Sequence, residues 1–348
     1  MEVRLMLFTH VRYASLALVA ALAACAGSSS TTPALPANAL ERVTPSGEHT
    51  VRVGAEVIRF GGPVRYVAAR RGWISPAASG AVLYGASYDG GFINIYPLNG
   101  TNQAPIGQLT SGLVSPQGVI VDSRHRLWVA NTNAFNIVAF QRGATTPFRT
   151  LNDPGYYPTS IAVDSHGTVF AANAEGTTGP PGNVTFWKSG HTKASGTLTF
   201  SNFEIVTNIG VDSSDNVYVS YIPKSGPPSV VEFPAGSQTG QQLNMGDANL
   251  GDITFDSAKN LVMETLANTL GVWAPPYTSG PTRTIPAFGN EPTFNKRENK
   301  VWIAYANYSE PKIEGYNYVT GKLTDTITNG WTATGIPYGV AIDPPAPL

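Results

Sequence analysis

Apolar positions in this chain come in short runs that alternate with polar ones, and the runs repeat. GVIVDSRHRLWVAN from Gly118, SIAVDSHGTVFAAN from Ser160, NIGVDSSDNVYVSY from Asn208 and DITFDSAKNLVMET from Asp252 share one design. A small apolar strand leads into an Asp-Ser turn, and a second strand follows with a large side chain near its start. Alternation at period two, broken by tight polar turns, predicts β-strands. A fifth segment, PTFNKRENKVWIAY from Pro292, keeps the pattern but aligns Lys296 with Asp122, Asp164, Asp212 and Asp256. The successive steps of 42, 48, 44 and 40 residues each match one four-stranded propeller blade.

A second mark keeps the same period. An aromatic closes the third strand of each unit at Tyr96, Phe140, Trp187, Phe233, Trp273 and Tyr316, in steps of 44, 47, 46, 40 and 43 residues. A fourth strand follows, as in TPFRTL near Phe148 and PTRTIP near Thr282. There are six such aromatics and only five internal first strands. The missing one stands at the C-terminus, where PYGVAID (Pro337 to Asp343) matches PQGVIVD (Pro116 to Asp122). The expected fold is all-β: a six-bladed β-propeller of four-stranded antiparallel blades over residues 74–348, with blade one closed by the C-terminal strand. That closure removes the open edges on which sheets aggregate.

The recurring P-x-G-V-x-V-D…G-x-(L/V)-(W/Y)-V-A…N-x-I…(F/W/Y) pattern resembles NHL repeats and the related gluconolactonase (senescence-marker-protein) propellers. In gluconolactonase-type propellers a Glu, an Asn and an Asp hold a divalent cation at the channel mouth. The resemblance implies an oxygen-rich site for calcium or zinc, which would polarise a lactone carbonyl. Of this chain's residues, Glu291 falls on a matching position. Asn208 and Asp252 would complete the set, but they fall one residue out of phase and are expected to face the other side of their strands.

Ligands of propellers usually sit at one mouth of the central channel. The residue five before each turn aspartate is expected there, which gives Tyr338, Gln117, Thr159, Thr207, Gly251 and Glu291. The aspartates Asp122, Asp164, Asp212, Asp256 and Asp343 recur once per blade, as a structural turn device does. Trp128, Phe170, Tyr218 and Trp302 on the second strands are expected to pack between blades. Asn131, Asn173, Tyr221 and Tyr305 end those strands, where they either line a glycan- or peptide-binding face or cap the loops. The sequence shows no G-x-S-x-G elbow, no cysteine nucleophile, no phosphate loop and no metal-ligand spacing among the histidines, so no catalytic residue is assigned.

The N-terminus changes the picture only as to address. Arg4, His10 and Arg12 precede an apolar run that ends at Cys25, the chain's one cysteine. Leu22-Ala23-Ala24-Cys25 resembles a bacterial lipobox, which implies cleavage of a 1–24 signal peptide and a lipid on Cys25. Residues 25–48, rich in Ser, Thr, Ala and Pro, are expected to form a flexible tether. Residues 49–73 are expected to form a strand or cap, since HTVRVGAEVIRF alternates apolar and polar side chains. Charged residues make up 13% of the chain and the formal net charge is −1, which gives nucleic acid no basic field to follow. The expected protein is thus a cell-envelope propeller, held to a membrane by its lipid alone, on the outer membrane in a two-membrane bacterium. It would serve as a binding or scaffold module for a protein, peptide or glycan. The alternative is a divalent-cation-dependent lactone or ester hydrolase.

Overall fold

The structure, a computed structural model, describes residues 48–53, 56–61, 71–332 and 334–347. The expected signal peptide, Cys25 and all of the expected tether but Glu48 lie outside the described residues. Among the described residues, no helix is long and apolar enough to cross a membrane.

The fold is the expected six-bladed propeller. Blade two runs through Pro116–Val121, Arg126–Asn131, Asn136–Gln141 and Arg149–Asn152, from the channel outward. Blade three consists of Tyr156–Val163, Val169–Gly176, Asn183–Trp187 and Gly196–Leu198, and blade four of Phe203–Val211, Val217–Pro223, Ser229–Phe233 and Gln241–Gln242. Blade five has Thr254–Phe255, Leu261–Glu264, Leu270–Trp273 and Arg283–Ile285, and blade six has Asn290–Phe294, Lys300–Tyr305, Lys312–Asn317 and Leu323–Ile327. All neighbouring strands are antiparallel, joined by the short turns that the glycine and Asp-Ser positions mark.

Blade one is built from both ends of the domain. Gly339–Asp343 pairs with Val82–Ser87 in the register Gly339 to Ala86 and Asp343 to Val82, followed outward by Phe92–Pro97 and Gly107–Leu109. Trp73–Ile74 adds a short fifth strand on the outside. Glu48–Val53 and Glu56–Gly61 form a separate two-stranded hairpin that pairs with no blade.

The core is divided among the seams between blades. Six apolar clusters each join two neighbours: for example Val82, Tyr84 and Ile95 with Val119 and Val129 across blades one and two, and Trp128 and Ala139 with Ile161 and Trp187 across blades two and three. The last seam closes the ring, with Trp302 and Ile313 of blade six against Leu83, Val340 and Ile342 of blade one. All six third-strand aromatics are buried, as are Trp128, Phe170, Tyr218 and Trp302 on the second strands. Flat sheets packed face to face require large side chains between them, and this periodic aromatic provides it.

The turn aspartates work as expected in four blades. Asp122 Oδ1 accepts the N–H of Arg124 at 2.9 Å and of Arg126 at 3.0 Å. Asp164, Asp212 and Asp256 accept the corresponding pairs of amides. Asp343 departs from the pattern. It is fully buried and pairs across the seam with Arg142 Nη1 at 2.8 Å and with His125 Nδ1.

Blade six corrects the sequence alignment. Its first two strands pair Phe294 with Val301, seven residues apart, whereas Val121–Leu127, Val163–Val169, Val211–Val217 and Phe255–Leu261 are six apart. The turn is therefore one residue longer. Asn295, not Lys296, takes the aspartate's place, and its Oδ1 accepts the Lys300 N–H at 3.2 Å.

Candidate functional site

That extra turn residue changes the phase of the channel wall. Counting back from Asn295 puts Glu291 level with Gly118, Ser160, Asn208, Asp252 and Gly339. The expectation that Asn208 and Asp252 lie out of phase with Glu291 is thus overturned. Glu291 and Asp252 meet: the Glu291 N–H donates to Asp252 Oδ2 at 3.2 Å, and the Ser160 hydroxyl donates to Asp252 Oδ1 at 2.7 Å.

Glu291 has left-handed backbone, with φ 52°, a conformation uncommon for a residue with a Cβ. The register between its strand and the next shifts between Asn290 and Thr293, and equivalent shifts open the inner strands of blades two, three and four. Such bulges re-aim side chains. Here the carboxylate reaches across the channel to the first two blades. It accepts the Val119 N–H at 2.8 Å on Oε1 and 3.1 Å on Oε2, and the Val340 N–H at 2.9 Å on Oε2. Glycine is required at its landing points. A Cβ on Gly118 would lie 2.8 Å from Glu291 Oε1 and 2.7 Å from Ser160 Cα, and one on Gly339 would overlap Glu291 Oε2. Burial, and secondly the Asp252 charge, push the Glu291 carboxyl well above the usual carboxylate range, against the pull of the Val119 and Val340 amides.

These groups form the floor of a funnel of about 480 Å³, which lies on the side of the disc that carries the first turns. Its wall is apolar, from Val121, Ile209, Val211, Phe255, Phe294 and Ile342 among others, and Asp122, His125, Asp212, Lys259 and Lys296 stand nearer the rim. Neighbouring turns are tied together around it. Ser165 donates to Asp215 at 2.8 Å across blades three and four, Lys259 to Ser214 at 3.1 Å across five and four, and Ser257 to Glu298 at 2.6 Å across five and six. Apolar walls with a few convergent polar groups at the base are the usual make-up of a small-ligand site, and the volume is within the usual range.

The opposite mouth is different. There the hairpin is seated on the propeller: Phe60 is buried with Ala174, Ile205, Ile222 and Leu250, and the Gly61 N–H donates to Asn133 Oδ1 at 2.9 Å. Of the positions expected at a mouth, Gln117, Tyr338, Thr159 and Thr207 are buried at this level, and Glu291 is on the floor of the funnel instead. Gln117 donates its amide to the Arg59 carbonyl, and the Tyr338 ring packs at a tilt against Tyr88, centroids 5.6 Å apart. The Thr159 hydroxyl donates to the Thr207 carbonyl at 2.9 Å; the Thr207 hydroxyl donates to the Ser220 carbonyl at 2.9 Å and lies 2.7 Å from the Ser220 hydroxyl. Asn131 and Asn173 are fully buried loop ties: Asn131 donates to the Gly112 carbonyl at 2.8 Å, and Asn173 to Asp153 at 2.9 Å. What sequence reading missed was Ser160 and the shared phase of Glu291. A turn-length check against the following Val-Trp pair would have found both.

A divalent cation does not fit the floor as it stands. Both Glu291 oxygens already accept backbone amides, both Asp252 oxygens accept protein donors, and Asn208 directs its amide N–H at the Leu250 carbonyl. Among the described residues, no group of three or more His, Cys, Asp or Glu side chains is placed to hold a metal.

No family model matches the chain, and no curated protein matches it. Its likeness is to solved structures, at the level of the fold. A chain of the nidogen/laminin complex superposes with a TM-score of 0.60 at 15% identity, over 76% of this chain and 98% of that one. A protein of unknown function from Bacteroides caccae gives 0.58 at 12% identity, covering 76% and 99%. A functionally unknown protein from Desulfotomaculum acetoxidans gives 0.50 at 14% identity, covering 75% and 98%.

Proposed function

We propose that this propeller is a binding module of the cell envelope, of the NHL and gluconolactonase-like kind, tethered through a lipid on Cys25. Its ligand site is the funnel on the first-turn side. One observation carries the reading: one mouth is filled by the hairpin, while the other is a funnel of about 480 Å³ with Asp252, Ser160 and Glu291 at its base. A funnel of that size takes a small ligand or a single protruding group of a larger one. The fold also occurs in a chain of the nidogen/laminin complex, a protein assembly, although fold alone does not assign function.

The test is thermal stabilisation of the purified protein by a panel of small amines, sugars, lactones and short peptides. A ligand that raises the melting temperature of the wild type and not of Asp252→Asn supports the funnel. A panel with no such ligand overturns it. The hydrolase reading has the shared phase of Glu291, Asp252 and Asn208 in its favour, and the protein donors already on the two carboxylates against it. Calcium- or zinc-dependent lactone turnover, lost in Glu291→Gln, would restore it. For the tether, labelling with radioactive palmitate is expected in the wild type and lost in Cys25→Ser; label retained by that variant refutes the lipid assignment.

A further inference from the structure

We propose that the mouth under the hairpin is a peptide-recognition site for an extended Arg-aromatic-Gly segment of a partner protein. The chain's own Arg59-Phe60-Gly61 fills it in cis. Each of the three residues is read by a separate device. The Arg59 guanidinium makes two bonds to Asp89, at 3.1 and 2.9 Å, and lies 5.4 Å from the Tyr88 ring and 5.6 Å from the Tyr308 ring. Tyr308 in turn donates to Asp89 at 2.9 Å. Both bonds leave Nη1, so preference for arginine over lysine comes from the guanidinium plane lying against two aromatic rings.

Phe60 is 1% exposed, in a pocket drawn from blades three, four and five, with Tyr157 at 5.5 Å. Gly61 is held by the Asn133 side chain, which reads its backbone as a neighbouring strand would. The Gly61 N–H donates to Asn133 Oδ1 at 2.9 Å, and Asn133 Nδ2 and the Tyr88 hydroxyl both donate to the Gly61 carbonyl at 3.1 Å. Its φ of 72° requires glycine.

The hairpin can leave without cost to any blade ladder, because it pairs only with itself. A lone two-stranded hairpin is marginal in water, so its order comes from the mouth it occupies. A tethered ligand competes at an effective concentration on the order of millimolar. An identical hairpin on a second copy therefore cannot displace it at ordinary concentrations. A partner segment can, if it adds contacts beyond the motif, and Tyr308, 46% exposed at the edge of the arginine site, is placed to supply one.

The test uses the full-length protein and a labelled synthetic peptide matching residues 48–61, followed by fluorescence anisotropy. Phe60→Ala, which vacates the pocket in cis, is expected to bind the peptide about tenfold or more tightly than wild type does. Changing the peptide's glycine to alanine is expected to remove that binding, and changing its arginine to lysine to weaken it several-fold. No binding to folded Phe60→Ala, or equal binding to both proteins, overturns the proposal. So does a wild-type dimer that Phe60→Ala abolishes, which would make the site one for exchange between copies. Should Phe60→Ala fail to fold, hydrogen exchange on the wild type decides. The Gly61 amide is expected to exchange well ahead of those of Val119 and Val340; exchange in step with them would mean that the hairpin never leaves.

Discussion

Glu291 and Val340 join blade six to the C-terminal strand by a bond of 2.9 Å from a backbone amide to a buried carboxylate. With Val119 on the same carboxylate, one side chain holds three inner strands together. Removing it strands two buried amides. Glu291→Ala is expected to cost about 1–3 kcal/mol for each amide left unmet, read by urea denaturation at pH 5.

The same carboxyl sets a pH dependence. Its folded pKa stands well above the ordinary 4.5 because of burial and then the Asp252 charge. The folded state therefore holds a proton that the unfolded state releases first. The stability this gives is complete below pH 4.5 and is lost as pH rises through the folded value. Glu291→Gln cannot titrate, so its melting temperature should lack that falling limb. Parallel pH profiles for variant and wild type would refute the assignment.

Asp153 gives a second, separable limb. Burial pushes it up to about 6, against the hydrogen bonds of Asn173 and Thr185. By the same sign its stability contribution is present below 3.8 and gone once pH has passed about 6. Asp153→Asn is expected to flatten the melting profile in that window while leaving the Glu291 limb in place. Direct titration by carbonyl NMR checks the value.

Asp122 binds its own turn and more besides. Its second oxygen accepts Trp128 Nε1 at 2.8 Å and Arg126 Nε at 2.6 Å. Asp122→Ala leaves the buried indole N–H without that acceptor and is expected to cost about 1–3 kcal/mol. The same change at Asp164, which ties only the amides of its turn, is expected to cost about 1 kcal/mol. Equal losses would show that the indole bond contributes nothing.

Ile342 lies 1% exposed in the seam between blades six and one. Ile342→Ala is expected to cost about 2–5 kcal/mol and to lower the single unfolding transition of the whole propeller. An early, separate transition would mean that the C-terminal strand frays alone.

Periodicity carried most of the fold. The third-strand aromatics and the PYGVAID match gave the blade number and the closure, because inter-blade packing demands a large side chain once per blade. The channel wall was less legible. A turn one residue longer in blade six is invisible to a pattern anchored on the aromatic strand, yet it shifts Glu291 by one position and so to the other face. The hairpin's seat was not legible at all: HTVRVGAEVIRF shows alternation, but nothing in it names Asn133, Asp89 or the pocket for Phe60. Such contacts join residues far apart in the chain, and composition carries no trace of them.

The shared construction of blade one also imposes an order of assembly. Blades two to six can each complete their four strands as the polypeptide emerges, since each is continuous in the chain. Val82–Ser87, with all six residues buried in the finished ring, must wait beside an empty place until Gly339–Asp343 is made. Until that strand arrives this apolar edge is the chain's adhesive surface, open to any other extended segment. A chain stalled or cut before Gly339 would keep it open, so Gly339–Asp343 decides whether that edge is closed against aggregation.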